Sequence, residues 1–296
     1  MAAHKNTIWD RFLSPIIRSL IDEDKLRQFY YSTDWEAESD RFRNPQLNYP
    51  SYYASQNFHG IEGGYLNGTA ANTYDPITQY VLPPNETWVR QGLIDAIQGT
   101  PRRILDLGCG TGSTTLMLKQ AFPQAEVIGI DLSPYMLFMA DYKAKSASLE
   151  LQWLHAQAES TGFPDASFDL VTASLLFHET PPKVAQSILQ EAFRLLMPGG
   201  EVLILDGNQQ TLRQVDWLTE VFEEPYIKDF AAGSVDAWLG AAGFEAVRTQ
   251  VLWWVHQVTR GMKPLPVDEP TTSGAQATTS SIIEDLDSQG IPAPAF

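Results

Sequence analysis

Ten residues constrain this chain more than any others: Ile104-Leu105-Asp106-Leu107-Gly108-Cys109-Gly110-Thr111-Gly112-Ser113. An apolar pair runs into an acid, three glycines follow at alternate positions, and a small polar run opens the next segment. The pattern predicts a strand, a tight turn and a helix start. Glycine adopts backbone conformations closed to other residues and lets a ligand approach the main chain. The helix start adds unpaired N–H groups at a positive dipole end. A Gly-x-Gly-x-Gly run occurs in many nucleotide-binding folds, so the rest of the chain must narrow it.

Three zones follow from the pattern. Residues 1–84 are aromatic-rich and read as a helical or irregular cap, ending in Val81-Leu82-Pro83-Pro84. Its first helix pattern (Ile8, Trp9, Phe12, Leu13, Ile16, Ile17, Leu20) is amphipathic, with Pro15 expected to bend it. Acids at Asp22, Glu23 and Asp24 favour core packing over a membrane surface. Residues 85–262 alternate short apolar runs with helical patterns, as a parallel α/β sheet requires. Expected strands are Arg103–Asp106, Glu126–Ile130, Leu151–Ala156, Phe168–Ser174 and Glu201–Leu205, the last entered through a Pro198-Gly199-Gly200 turn. Helices are expected from Asn85 through Ile97, Ser113 to Phe122, after Ser133-Pro134, after Thr180-Pro181, and near 211–224 and 233–241. Phe244–Val251 and Trp254–Thr259 are β-rich with no helix between them, so they should run antiparallel to each other. Residues 263–296, rich in Pro, Ser, Thr and Ala, read as a mostly disordered tail.

Composition excludes several classes. The chain has 296 residues, with 20 Lys and Arg against 36 Asp and Glu, a formal net charge of −16. That is a poor surface for nucleic acid, whose phosphates are neutralised by Lys and Arg clusters. The single cysteine, Cys109, excludes an internal disulfide and a cysteine zinc cluster, and no metal site is expected. No apolar run reaches membrane-spanning length, and Asp10 and Arg11 do not suit a secretory signal. The expectation is a cytoplasmic protein without stable membrane insertion and of open oligomeric state.

Further along the chain, Asp131 closes the second strand, 25 positions after Asp106, where an acid can accept hydrogen bonds from ribose hydroxyls. A dinucleotide dehydrogenase would share that acid, but its Gly-x-Gly-x-x-Gly turn differs from the one here. Four motifs occur in order: Asp106–Gly112, Gly129-Ile130-Asp131-Leu132-Ser133-Pro134-Tyr135-Met136-Leu137, Phe163-Pro164-Asp165-Ala166-Ser167-Phe168-Asp169, and Leu196-Met197-Pro198-Gly199-Gly200. Together they resemble the class I S-adenosylmethionine-dependent methyltransferases, particularly the small-molecule branch similar to the ubiquinone and menaquinone methyltransferases. The resemblance covers residues 85–262. It implies a Rossmann-like, mostly parallel seven-stranded sheet whose antiparallel last strand lies beside the fifth.

The resemblance also implies roles. Gly108, Gly110 and Gly112 would face the methionine part of S-adenosylmethionine, and Asp106 would help hold its amino group. Asp131 would bind the ribose, and Met136 would pack on the adenine unless it is simply core. After the third strand this chain has Ala156-Gln157-Ala158-Glu159 where many relatives have Gly-Asp-Ala-Glu, so Gln157 and Ala158 would stand at the adenine. Tyr74, in Ala70-Ala71-Asn72-Thr73-Tyr74-Asp75, would lie near the cofactor.

The methyl group would point toward Phe177-His178-Glu179-Thr180. His178 is the candidate general base, since imidazole titrates near neutrality. His59, Tyr65, Phe177 and Glu179 are the candidate substrate-pocket residues, with aromatic cap packing as the plainer alternative for the cap members. His155 and His256 fall in strand patterns and read as structural. The reading is methyl transfer to a small, partly apolar or aromatic molecule. Its rivals are aminopropyl transfer on the same fold, a non-catalytic cofactor-binding partner, and a protein or tRNA methyltransferase.

Overall fold

The computed structural model describes residues 14–82, 84–215, 217–219 and 224–266. Ile8, Trp9, Phe12 and Leu13 of the first helix pattern and the tail from 267 onward lie outside the described residues. A seven-stranded sheet organises the molecule, in the order β3-β2-β1-β4-β5-β7-β6. Its strands are β1 (Arg103–Leu107), β2 (Glu126–Asp131), β3 (Gln152–His155), β4 (Phe168–Ser174), β5 (Leu196–Gly207), β6 (Glu245–Leu252) and β7 (His256–Met262). The first five pair in parallel, whereas β7 runs antiparallel to both β5 and β6.

Alternation of side chains along each strand builds two cores. Ile104, Val127, Leu170 and Leu203 face α6 (Glu86–Ala96) and α7 (Ser113–Ala121) on one side. Leu105, Ile128, Val171 and Ile204 face α9 (Pro182–Leu195) on the other. Their strands are apolar on both faces, as a doubly covered parallel sheet requires.

Two boundaries differ from the sequence expectation. Pro198-Gly199-Gly200 is not a free turn but an irregularity inside β5, whose pairing jumps from Phe168↔Leu196 to Leu170↔Glu201. Gly199, at φ +80°, donates its N–H to the Lys263 carbonyl, tying this kink to the end of β7. The 211–224 helix begins earlier, as α10 (Gln209–Gln214), capped by the Asn208 side chain. A further helix, α11 (Ile227–Ala232), was not expected; α12 (Val235–Ala241) was.

Residues 14–82 are more helical than irregular. They form α1 (Ser14–Leu20), α2 (Glu23–Ser32), α3 (Trp35–Asp40), α4 (Ser51–Ala54) and α5 (Gly68–Val81). Asp22, Asp34 and Asn67 cap α2, α3 and α5 by accepting from backbone N–H groups. Their aromatic side chains, including Trp35, Phe58 and Tyr65, pack against Tyr135, Met136, Phe138 and Met139 of α8 (Pro134–Ser146). No helix among the described residues is long and apolar enough to cross a membrane.

Candidate active site

The site forms at the carboxyl ends of β1, β2, β4 and β5, where open α/β sheets bind ligands. The glycine turn carries the chain from β1 into α7. Gly108, Gly110 and Gly112 have φ of +60°, +53° and +78°. A Cβ on Gly112 would sit 2.6 Å from Trp153, so this glycine serves close packing. A Cβ on Gly110 would meet nothing within 4 Å, because Gly110 faces an open cleft.

Asp131 is locked to this turn. One of its oxygens accepts the Gly110 N–H at 2.8 Å and the other accepts the Ser133 N–H at 2.7 Å. Burial pushes its carboxyl up to about 6, against the backbone donors that favour its charge. The cleft is lined by Gly108, Gly110, Asp131, Met136, Ala158, Tyr74 and Arg90, among others. Arg90, on α6, is a buried cation held by Glu86 at 2.8 Å and by the Thr114 hydroxyl at 2.7 Å. Asp75, on α5, draws the cap onto the turn. It accepts from Thr111 and from Lys143, whose ammonium lies 2.7 Å away.

A second cavity adjoins the first. Tyr74, Leu175 and Glu179 line both. Leu175 holds a positive φ of +59° at the exit of β4, strain that sets this residue between the two spaces. Apolar side chains such as Ile77, Val81, Leu212 and Ile227 make up most of the second wall. The polar remainder includes His59, His178, Glu179 and His256.

His178 sits on a 3-10 turn, Phe177–Glu179, and its Nδ1 is 2.7 Å from Asp206 at the end of β5. Asp206 also accepts the Phe177 and Gly207 N–H groups, so its carboxylate is fixed. Burial alone would lower the His178 pKa. Asp206, Glu179 and Glu224 outweigh burial and carry it to about 9. At neutral pH this imidazole is therefore a hydrogen-bond donor. His59 behaves alike, with Glu224 2.8 Å from its Nδ1 and a pKa of about 9. Glu179 accepts from the Tyr65 hydroxyl at 2.6 Å, and burial with Glu224 repulsion raises it to about 7. His256 is the opposite case: burial lowers it to about 4, and its Nδ1 has no hydrogen-bond partner.

Gly108, Gly110, Asp131, Met136, Ala158 and Tyr74 thus converge on one cleft, and His59, His178 and Glu179 meet beside it. Tyr65 borders the cleft and reaches Glu179. Four residues stand apart, among them Gly112, which packs against Trp153 rather than facing the cleft. Asp106 is buried beneath the turn, with both oxygens accepting from the Thr115 and Thr172 hydroxyls. The Gln157 amide donates to the Asn48 carbonyl at 2.9 Å, while its neighbours Ala156 and Ala158 line the cleft. Phe177 is core. His155 ties the cap to the core through the Asn44 N–H and the Leu132 carbonyl. Arg90, Asp75, Asp206 and Glu224 were missed. Only Asp206 carried a signal, an acid closing a predicted strand.

Residues 104–200 match the methyltransferase domain family. Over that segment the core is similar to a methyltransferase domain. Demethylmenaquinone methyltransferase from Thermus thermophilus is 41% identical over 119 residues, 40% of this chain and 53% of that protein. The Deinococcus radiodurans enzyme of the same name is 34% identical over 137 residues, 46% and 56% of the two chains. This chain therefore spans about half the length of these curated relatives. Among solved structures, a putative O-methyltransferase from Nostoc punctiforme superposes with a TM-score of 0.54 at 15% identity, covering 80% of this chain and 69% of that one. The sheet has the strand order expected from the sequence, with β7 inserted between β5 and β6.

Proposed function

We propose that this protein transfers the methyl group of S-adenosylmethionine to a small, partly apolar or aromatic acceptor held in the second cavity. The observation that carries this reading is the pair of adjoining spaces sharing Tyr74, Leu175 and Glu179, one polar and glycine-walled, the other largely apolar. The cleft suits the cofactor in three respects. Asp131 keeps one acceptor position free on each oxygen for ribose hydroxyls. The cradle at Gly110 is open, and the buried Arg90 guanidinium can take the methionine carboxylate. Met136 and Ala158 flank the adenine end, and Gln157 contributes through its place in the chain rather than through its amide.

Bound S-adenosylmethionine supplies an activated methyl on a sulfonium. The chain's own task is to hold acceptor and methyl at near-attack distance and to exclude water. The helical cap of residues 14–82 closes the cleft through Asp75 and walls the second cavity through Ile77 and Val81. His178, oriented by Asp206, meets the polar group of the acceptor. We favour a quinol-type ring, which fits a mostly apolar cavity with a few polar groups at one end and agrees with the names of the similar proteins. Incubation with methyl-labelled cofactor and reduced naphthoquinones or a metabolite extract tests this reading. Label in a small molecule supports it. Tight cofactor binding without transfer favours a binding protein instead.

A further inference from the structure

We propose that His59, Glu179 and Glu224 form a site for a divalent transition-metal ion, with open coordination positions facing the second cavity. One donor atom from each of the three lies within 4.8 Å of the others. Glu179 Oε1 is 3.7 Å from His59 Nε2 and 3.9 Å from His178 Nε2. Those distances are too long for hydrogen bonds. The first, between two members of the set, is close to the roughly 3–3.5 Å that separates neighbouring ligands of an ion with bonds near 2.1 Å. Glu224 Oε1 lies 2.8 Å from the other ring nitrogen, Nδ1, so closing the set on one nitrogen requires the His59 ring or the Glu224 carboxylate to turn.

A second, independent observation points to a ligand. The Glu224 side chain is 0% exposed, and its Oε2 has no hydrogen-bond partner. Its Oε1 is engaged with the His59 ring and accepts the His59 N–H at 3.0 Å. Leaving a buried carboxylate oxygen without a partner is destabilising. Two carboxylates this close in a desolvated place also repel each other. A metal ion satisfies that oxygen and, in place of the His59 proton, neutralises the two carboxylates. One imidazole with two carboxylates favours Zn²⁺, Co²⁺ or Mn²⁺ over Mg²⁺ or Ca²⁺. His59 and Glu179 line the acceptor cavity, so an oxygen of a bound small molecule can complete the coordination. His59 also takes a positive φ of +50°, a strained conformation for a residue that must present its ring here.

Residue spacing gave no sign of this site, because its members are 120 and 45 positions apart. It does not depend on the methyl-transfer reading, since binding is measured without cofactor or acceptor. The full-length protein, stripped with a chelator and dialysed, is titrated with Co²⁺ and then Zn²⁺ by calorimetry, and the visible absorption of the Co²⁺ form is recorded. We expect one equivalent bound, d–d bands that shift with imidazole ligation, and displacement by Zn²⁺. Glu224→Gln and His59→Gln should each weaken binding by more than about tenfold, with circular dichroism unchanged. Asp24→Asn, an exposed acid on α2, should leave binding unchanged. The proposal is overturned if the folded wild type binds no Co²⁺ or Zn²⁺, if its Co²⁺ spectrum is that of the hydrated ion, or if both variants bind like wild type.

Discussion

Asp131→Ala should weaken S-adenosylmethionine binding by about 100-fold without unfolding the protein. Each carboxylate oxygen already accepts one backbone N–H, from Gly110 at 2.8 Å or from Ser133 at 2.7 Å. One lone pair per oxygen remains, enough for two ribose hydroxyls. Hydrogen bonds to a charged group contribute about 1.5–3 kcal/mol each. Removing two of them, less the gain from no longer burying the charge, leaves a loss of about 3 kcal/mol, or about two powers of ten in Kd. Calorimetry at neutral pH measures this directly. A second arm uses the carboxyl's position at about 6, raised by burial. Only the ionised form accepts on both oxygens, so affinity should be full above pH 6 and fall by about tenfold per unit below it. Asp131→Asn should bind weakly with no such pH dependence. A change in Kd below about threefold in Asp131→Ala, with an unchanged melting temperature, would refute the assignment of Asp131 to the cofactor.

Three further outcomes follow from the geometry. Gly110→Ala places a Cβ in the open cleft at φ +53°; stability should fall by only about 1–2 kcal/mol, whereas cofactor affinity should fall sharply in the same calorimetric assay. Asp206→Asn removes the carboxylate that fixes His178, so turnover should drop about 10–100-fold while cofactor affinity holds; comparison of kcat with Kd checks this. His256 has a folded pKa lowered to about 4 by burial, against about 6.5 when unfolded. Between those values the unfolded chain binds more protons, so the stability His256 confers is complete above pH 6.5 and lost as pH falls toward 4, by up to about 3 kcal/mol. Asp131 and Glu179, raised to about 6 and about 7, act in the opposite sense in both proteins, so calorimetric melting from pH 4 to 7 should show that slope in the difference between wild type and His256→Gln.

What the sequence disclosed and what it hid have different physical origins. The glycine turn, Asp131 and the strand alternation are local signals, because dihedral needs and side-chain period are written into neighbouring residues. Phe168–Ser174 was placed residue for residue for that reason. The helices of residues 14–82 were less legible, since they are short and rich in aromatic residues, although Asp22, Asp34 and Asn67 were readable caps. Arg90, Asp75 and Glu224 reach the site only through tertiary packing. His59 meets Glu224 across 165 positions, a pairing no local pattern encodes. Gln157 stands at a motif position where relatives differ in residue type; its amide nitrogen donates to the Asn48 carbonyl while the alanines on either side line the cleft.

The central claim is that the adjoining cavities bring a sulfonium methyl to a small apolar or aromatic acceptor. Its most direct test is single-turnover transfer of label from methyl-labelled S-adenosylmethionine, using wild type and Asp131→Ala in parallel, with reduced naphthoquinones as acceptors. The account predicts one labelled small molecule and one S-adenosylhomocysteine per wild-type active site, with little of either from the variant at the same cofactor concentration. Equal transfer by both proteins, or cofactor bound by the wild type with no label transferred, would contradict it.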